Sequence, residues 1–218
     1  TESPVTTVFS GPRKDRGVYD LSHQFTDGMQ TFPGDPGFSV RAAKTFEADG
    51  YRVTDLECTS HAGTHVDAPA HTEASGKTLA ELPLDRFVFD AVKVDCRDLG
   101  ARDPIPPERV PTTDADCVLF QTGWDEHWGT DRYLDHPYLA PETARLCADR
   151  GYAVGTDTLN PDPTPSPNRR DAEPEDSPAH HSLLAEELLI IENLTGLDQP
   201  PERFEVRATS LPPGTDEA

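Results

Sequence analysis

The sequence lacks an apolar run long enough to span a membrane. It also lacks a basic segment followed by an apolar one, which is typical of secretory signal peptides. Both absences favour a soluble protein, and we expect it to be cytoplasmic. The hydrophobic content is 34% over 218 residues, which suffices for a single domain with a buried core.

Cysteine is scarce as well. The sequence has four cysteines, and no two of them are spaced as Cys-x-x-Cys. This spacing argues against a disulfide framework and against a cysteine-based metal site. We therefore expect four reduced and mostly buried thiols, at Cys58, Cys96, Cys117 and Cys147.

Basic residues are few, with 19 lysines and arginines against 40 acidic residues and a net charge of −21. A surface this acidic repels nucleic acids and anionic membranes, so neither is an expected partner. The acidic residues are spread along the chain, which favours a protein from a salt-loving organism, where ionic screening reduces self-repulsion. An acidic protein from an ordinary organism is the alternative.

Three histidines and one aspartate lie within the eleven residues from His61 to His71, which have the sequence HAGTHVDAPAH. Imidazole and carboxylate groups are ligands that Zn²⁺ accepts, and Mn²⁺ also tolerates the carboxylate. Gly63 and Pro69 disfavour a helix, so we expect an extended or looped segment. The stretch predicts a divalent metal site. A polar loop with solvated histidines is the alternative.

The spacing within this stretch predicts which side chains meet. In an extended chain, His65 and Asp67 lie on the same side because they are two residues apart. His61 joins them only if the backbone turns near Gly63, which a residue without a Cβ atom permits.

A second candidate segment begins at Ser177-Pro178, a good N-cap and first-turn pair for a helix over residues 178–187. His180 would lie in the first turn, where the helix dipole disfavours protonation of the ring. His181 points about 100° away on the same helix, so we expect only one of these histidines to bind metal.

Glu192 follows the apolar residues 188–191, whose continuous pattern predicts a buried strand. An unpaired glutamate is costly to bury at the end of such a strand. Metal ligation would compensate this cost, and a salt bridge is the alternative.

Residues 61–71 match in full the signature His-x-Gly-Thr-His-x-Asp-x-Pro-x-His. On this motif the chain resembles the cyclase-like metal-dependent hydrolases, which include bacterial kynurenine formamidases and isatin hydrolase. Further matches lie at Asp20–His23, Phe32–Pro36, Gln121–Trp124 and Glu192–Leu194. The resemblance covers about residues 18–211, which leaves residues 1–17 as an N-terminal arm and residues 212–218 as a tail.

The resemblance implies a role for each candidate residue. One or two ions, Zn²⁺ or Mn²⁺, would be held with Asp67 as a bridge, and His71 would be the catalytic acid and base. A hydrogen bond that orients Asp67 is the alternative role for His71. Phe32 would contact substrate where kynurenine formamidases have a tryptophan, a departure that weakens the case for N-formylkynurenine. The implied metal ligands are His61, His65, Asp67, His180 and Glu192.

The family further implies an enzyme that uses a metal-activated water to cleave a C–N bond in an aryl formamide, amide or lactam. A non-catalytic metal-dependent binding protein and a dehydrating cyclase are the alternatives. The partner is then a small molecule, and the protein is a homo-dimer or homo-tetramer. The implied fold is a single α/β domain of the swivelling β/β/α type, with mixed β-sheets in a barrel-like core and few helices.

Periodicity and turn residues predict the remaining elements. The proline-rich segment between Asn160 and Pro178 is either a loop over the pocket mouth or disordered. Its two cations, Arg169 and Arg170, either meet a substrate carboxylate or are solvated or paired with nearby acids. The predicted strands cover residues 18–21, 51–58, 87–94, 117–120, a start at 153, and 204–211, and a helix covers residues 141–150.

Overall fold

The computed structural model describes residues 17–209. The predicted tail and all of the predicted arm except Gly17 therefore lie outside the described residues. A six-stranded mixed sheet organises the domain. From one edge to the other, its strands are β10 (Arg203–Arg207), β4 (Val88–Asp95), β6 (Cys117–Gln121), β8 (Ala153–Thr156), β9 (Ile190–Glu192) and β3 (His65–Asp67).

The four inner strands, β4, β6, β8 and β9, run parallel, and the two edge strands, β10 and β3, pair antiparallel. The sequence of β6 is apolar almost throughout, and all five of its residues are buried. This pattern is typical of a parallel strand covered on both faces.

Each face of the sheet has its own apolar core. On one face Val66, Leu119 and Ile191 pack with the turns over residues 79–87. On the other face Phe120 and Ile190 pack against two helices, α2 (Pro141–Asp149) and α3 (Pro178–Leu184). The sheet curls into a half-barrel, and the predicted α/β class with few helices is confirmed.

An exposed hairpin precedes β3. Strand β1 (Ser39–Lys44) and strand β2 (Val53–Glu57) are antiparallel, and the short helix α1 (Phe46–Asp49) joins them. The alternation over residues 51–58 predicted β2 but not β1. Phe46, Tyr51 and Leu56 are exposed, so the alternation does not mark a buried face.

Two further differences from the prediction concern short elements. Residues 18–21 form no strand, and contact with the domain is made instead by an isolated bridge between Ser22 and Leu194. The pair β5 (Pro104–Ile105) and β7 (Tyr138–Leu139) was not predicted. Two-residue strands are set by their partner and leave no periodicity in the sequence.

The segment between Asn160 and Pro178 is bonded into the domain. Arg102, which is buried, donates hydrogen bonds to both carboxylate oxygens of Glu173 and to the carbonyl oxygen of Thr164. Arg170 donates to the carbonyl oxygens of Ala101 and Arg102, and Arg169 pairs with Glu175 at 3.7 Å. Arg170 also pairs with Asp103 at 3.3 Å, so both arginines pair with nearby acids, in agreement with that alternative.

The four thiols agree with the prediction. Cys96, Cys117 and Cys147 are buried in the two cores, Cys58 is exposed, and none of the four forms a disulfide. Between residues 17 and 209, no helix has both the length and the apolar character that crossing a bilayer requires.

His136 makes stability dependent on pH. Its ring is buried, Nδ1 donates to the carbonyl oxygen of Pro137, and Nε2 accepts from Thr164 Oγ1, each at 2.7 Å. Burial lowers the pKa of His136 to about 4, whereas an unfolded histidine titrates near 6.5. The unfolded state therefore takes up the proton first. The stabilising contribution is complete above about pH 6.5 and is lost as the pH falls towards 4.

We expect the free energy of unfolding to fall by about 3 kcal/mol from this group alone between pH 6.5 and pH 4. Urea denaturation gives the free energy of unfolding of the wild type and of His136→Gln. The wild type should be the more stable at pH 6.5, and the difference between the two free energies should shrink as the pH is lowered. His181→Gln removes a solvent-exposed histidine and serves as the control. A gap between wild type and His136→Gln that is constant over this range would contradict the expectation.

Candidate metal centre

Strands β3 and β9 bring together three of the candidate ligands. The two strands are antiparallel, and His65 lies directly opposite Glu192. Opposed residues share one face of a sheet, and Asp67 shares that face because it is two residues from His65. Val66, between them, points into the core on the other face.

His61 reaches the same place because the chain turns at Gly63, whose φ is +68°. This positive φ favours glycine, and a Cβ atom here would also lie 2.8 Å from Met29 Cε, so the flexible end of the methionine side chain would have to shift. The predicted turn is thus present, and His61 Nδ1 lies 2.9 Å from Asp67 Oδ1.

Helix α3 supplies the last candidate. His180 is buried, and its Nε2 atom lies 3.2 Å from Glu192 Oε1 and 3.6 Å from Asp67 Oδ2. His181 is exposed and its Nδ1 atom lies 2.9 Å from Glu73 Oε1, away from the cluster. The structure therefore brings one of the two neighbouring histidines, His180, to the candidate site.

Two donor groups share Asp67. The first contains His61, His65 and Asp67, and the second contains Asp67, His180 and Glu192. Within each group the donor atoms lie within 4.8 Å of one another. Asp67 Oδ1 faces His61 and His65, whereas Oδ2 faces His180. This is the arrangement expected of a carboxylate between two ions.

The chemistry of the cluster fits a divalent cation. Asp67 is fully buried, and its two carboxylate oxygens face the imidazole nitrogens of His61, His65 and His180. Glu192 is likewise buried, and its Oε1 atom faces His180 Nε2 at 3.2 Å. Buried carboxylates that face imidazole rings are costly unless the rings are protonated or a cation neutralises the carboxylates. Imidazole nitrogens and carboxylate oxygens are the ligands that Zn²⁺ and Mn²⁺ accept.

The electrostatics of the protein alone lead to the same conclusion. Burial and the nearby Asp67 carboxylate raise the pKa of Glu192. Burial by itself would lower the pKa of His65, but Asp67 and Glu192 outweigh it and raise this pKa to about 9. The cluster thus attracts positive charge, and a divalent ion can supply it in place of protons.

His180 corrects one expectation. The helix dipole was expected to disfavour protonation, yet the pKa of His180 is raised well above its ordinary value. Burial lowers this pKa, but contacts with Asp162, Asp67 and Glu192 outweigh burial. Three nearby carboxylates are a stronger influence than the partial charge of a short helix.

His71 lies beside both donor groups. It ends the turn over Pro69–His71, with its ring centroid 4.0 Å from that of His61 and 5.5 Å from that of His180. His71 is exposed to solvent as a residue, yet desolvation among the neighbouring groups lowers the pKa of its ring to about 4. His71 is therefore a neutral imidazole near pH 7, able to accept a proton.

Phe32 lies in an aromatic cluster near Glu192. It is half-buried and packs with Trp128 against Trp124, Tyr133 and Leu159. The Tyr133 hydroxyl donates to Asn193 Oδ1 at 3.0 Å, and Asn193 follows Glu192 in the chain.

Two supporting residues were missed from the sequence. Thr64 Oγ1 accepts the backbone N–H of His23 and donates to the carbonyl oxygen of Asn193, which ties three distant segments together. The position of Thr64 inside the histidine motif was the available signal. Asp162, which contacts His180, lies in the proline-rich segment, where no local pattern distinguishes it from the other acidic residues.

The fold and this donor set together define a metal-dependent hydrolase. The Cyclase family model matches residues 19–163 of the chain. The kynurenine formamidase of Salinibacter ruber is 32% identical over 205 residues, which cover 89% of this chain and 90% of that protein. The kynurenine formamidase of Erythrobacter litoralis is 30% identical over 202 residues, which cover 91% and 88%.

A solved structure supports the fold independently. Isatin hydrolase A from Ralstonia solanacearum superposes with a TM-score of 0.75 at 23% identity, covering 91% of this chain and 86% of that chain. The chain belongs to the cyclase family of metal-dependent hydrolases, as its signature predicted.

Proposed function

We propose that this protein hydrolyses the C–N bond of an aryl formamide, amide or lactam with the help of one or two divalent ions, Zn²⁺ or Mn²⁺. The observation that carries the proposal is the convergence of two distant segments on Asp67, which belongs to both donor groups. The similarity to kynurenine formamidases supports the C–N bond as the target. The proposed ligands are His61, His65, Asp67, His180 and Glu192.

The chain's own residues hold and orient the reacting groups. When bound, divalent ions supply Lewis-acid chemistry, which makes water nucleophilic near neutral pH and polarises a carbonyl group. Strand pairing fixes His65 against Glu192, and the two oxygens of Asp67 face different donors. This rigid placement supports Asp67 as the bridging ligand.

His71 is proposed as the group that moves the proton. As a neutral imidazole beside His61 and His180, it takes a proton from the attacking water and gives it to the leaving nitrogen. Among the described residues no hydrogen bond joins His71 to Asp67, so nothing favours the alternative role of orienting that carboxylate. Solvent access to the ring leaves room for substrate.

Phe32 is proposed to contact the apolar ring of the substrate. Its place at the edge of the aromatic cluster, which reaches Asn193 through Tyr133, supports this role. Kynurenine formamidases have a tryptophan at the position of Phe32. Because phenylalanine is smaller than tryptophan, we expect Phe32 to leave space for a different or larger substrate.

A substrate panel tests the function. Protein stripped with a chelator and then reloaded with Zn²⁺ or Mn²⁺ is assayed on an aryl formamide, an isatin-like lactam and a cyclic amide. We expect turnover of at least one substrate with metal and none without it. Phe32→Ala should raise KM more than it lowers kcat, because the contact is with substrate rather than with reacting atoms.

Absence of turnover on every substrate by protein that demonstrably binds the metal would contradict the proposal. It would favour a metal-dependent binding protein instead. A product that has lost water, detected by mass spectrometry, would favour the dehydrating cyclase.

The remaining expectations concern the assembly and its surroundings. We propose a cytoplasmic, salt-adapted homo-dimer or homo-tetramer with a domain over residues 18–211 and no nucleic-acid or membrane partner. The exposed apolar side chains of the β1–β2 hairpin and the net charge of −21 support association and salt dependence. Light scattering in dilute buffer and in high salt measures both, and a monomer unaffected by salt would contradict them.

A further inference from the structure

One buried carboxylate lies outside both donor groups and yet touches a proposed ligand. Asp162 Oδ2 accepts the backbone N–H of His180 at 3.0 Å and lies 2.7 Å from the ring atom His180 Nδ1. Asp162 Oδ1 accepts the backbone N–H of Ala179 at 2.9 Å. A single side chain therefore binds both the start of α3 and the imidazole of His180.

This contact replaces the cap predicted from the sequence. Ser177 was expected to cap the helix, but it has a left-handed φ of 47° and its side chain makes no capping hydrogen bond. Asp162 accepts the first backbone N–H groups in its place. A carboxylate also complements the positive end of the helix better than a hydroxyl does.

The direction of the ring hydrogen bond follows from its acceptor. A carboxylate oxygen only accepts, so the proton lies on His180 Nδ1. In the neutral ring that binds an ion, the lone pair of Nε2 is then directed towards Glu192 and Asp67, 3.2 and 3.6 Å away. His65 is arranged in the same way, since its Nδ1 lies 2.9 Å from the carbonyl oxygen of Gly63. Outer hydrogen bonds of this kind fix the tautomer of metal-binding histidines.

Asp162 is itself held through a buried hydrogen-bond network that begins at Asn160. Its backbone N–H donates to Asn160 Oδ1 at 2.7 Å, and Asn160 Nδ2 donates to Thr164 Oγ1 at 2.7 Å. Thr164 is bonded in turn to the buried His136. The carboxylate is therefore fixed in place before any ion arrives.

We propose that Asp162 is a positioning residue, which sets the tautomer and the orientation of His180 so that Nε2 binds the ion without rearrangement. The inference rests on the proposed function only in taking His180 as a ligand. It assigns a purpose to the proline-rich segment, which carries Asp162 into the core.

Asp162→Asn tests the proposal. Two donors converge on Oδ2 and one on Oδ1, so an amide NH₂ group meets a donor in either orientation. We expect the Kd for Zn²⁺, measured by competition with a chromophoric chelator, to rise about 10–100-fold. His181→Asn, which changes the neighbouring histidine on the exposed face, is the matched control and should keep the wild-type Kd. An Asp162→Asn variant that binds zinc as tightly as wild type overturns the proposal.

A loss of stability must be separated from a loss of positioning. Thr143→Val removes a different buried hydrogen bond, to the carbonyl oxygen of Ile105, away from the cluster. It should lower the thermal stability of the metal-free protein and leave zinc affinity unchanged. If it weakens zinc binding as much as Asp162→Asn does, positioning is not the explanation and the proposal fails.

A measurement on the wild type avoids the risk that a variant does not fold. Nitrogen-15 NMR of the zinc-loaded protein should show His180 with its proton on Nδ1, and a proton on Nε2 would contradict the proposal. Neither this spectrum nor the zinc titration requires turnover. If zinc binds as expected and no amide is hydrolysed, the proposed function fails while the role of Asp162 stands.

Discussion

Replacing His71 by alanine is expected to lower kcat for C–N bond hydrolysis by about 10²–10⁴-fold, which is the usual contribution of a positioned acid and base. The metal content should not change, because His71 lies beside the donor groups and belongs to neither. Steady-state kinetics together with elemental analysis of the same samples measure both quantities.

The control for this variant is His181→Ala, which removes the exposed histidine on α3 and should retain full activity. A His71→Ala enzyme with wild-type kcat would show that the proton moves by another route. A variant that loses its metal would place His71 among the ligands instead.

Replacing Asp67 by alanine should have the larger effect. Asp67 belongs to both donor groups, so its loss removes the shared ligand from each. We expect no metal above background after dialysis, and a fall in kcat/KM of at least about 10³-fold, since the Lewis-acid contribution amounts to several kcal/mol. Elemental analysis and the substrate panel provide the measurements.

Glu73→Gln is the matched control, because it changes a nearby carboxylate that pairs with His181 and lies outside both groups. The circular dichroism spectrum of Asp67→Ala should match the spectrum of chelated wild type. This match would show that the variant keeps its fold. If Asp67→Ala retains one ion per chain and most of its activity, Asp67 is not the bridge.

Local patterns explain why much of the site could be predicted. The eleven-residue motif contains its own geometry, since Gly63 permits the turn and the period of two places His65 beside Asp67. For Glu192 the burial of a carboxylate after an apolar strand predicted a compensating partner, either a metal or a salt bridge, and the family resemblance chose the metal. In both cases the decisive chemistry lies within a few residues.

The parts of the site and fold that could not be predicted depend on contacts between residues far apart in the sequence. No pattern near Asp162 indicates that it caps α3, seventeen residues further along the chain, and the serine beside the helix was the better local candidate. The raised pKa of His180 follows from carboxylates delivered by three other segments. The exposed β1–β2 hairpin shows that alternation predicts a strand without revealing whether either face is buried.

Anomalous diffraction from crystals of the zinc-loaded protein tests the central claim most directly. We predict a peak about 2.0–2.2 Å from the nearest atoms of Asp67, His180 and Glu192, and, if two ions bind, a second peak at the same distance from His61, His65 and Asp67. A loaded crystal with its zinc elsewhere, or with none in this cluster, would contradict the account.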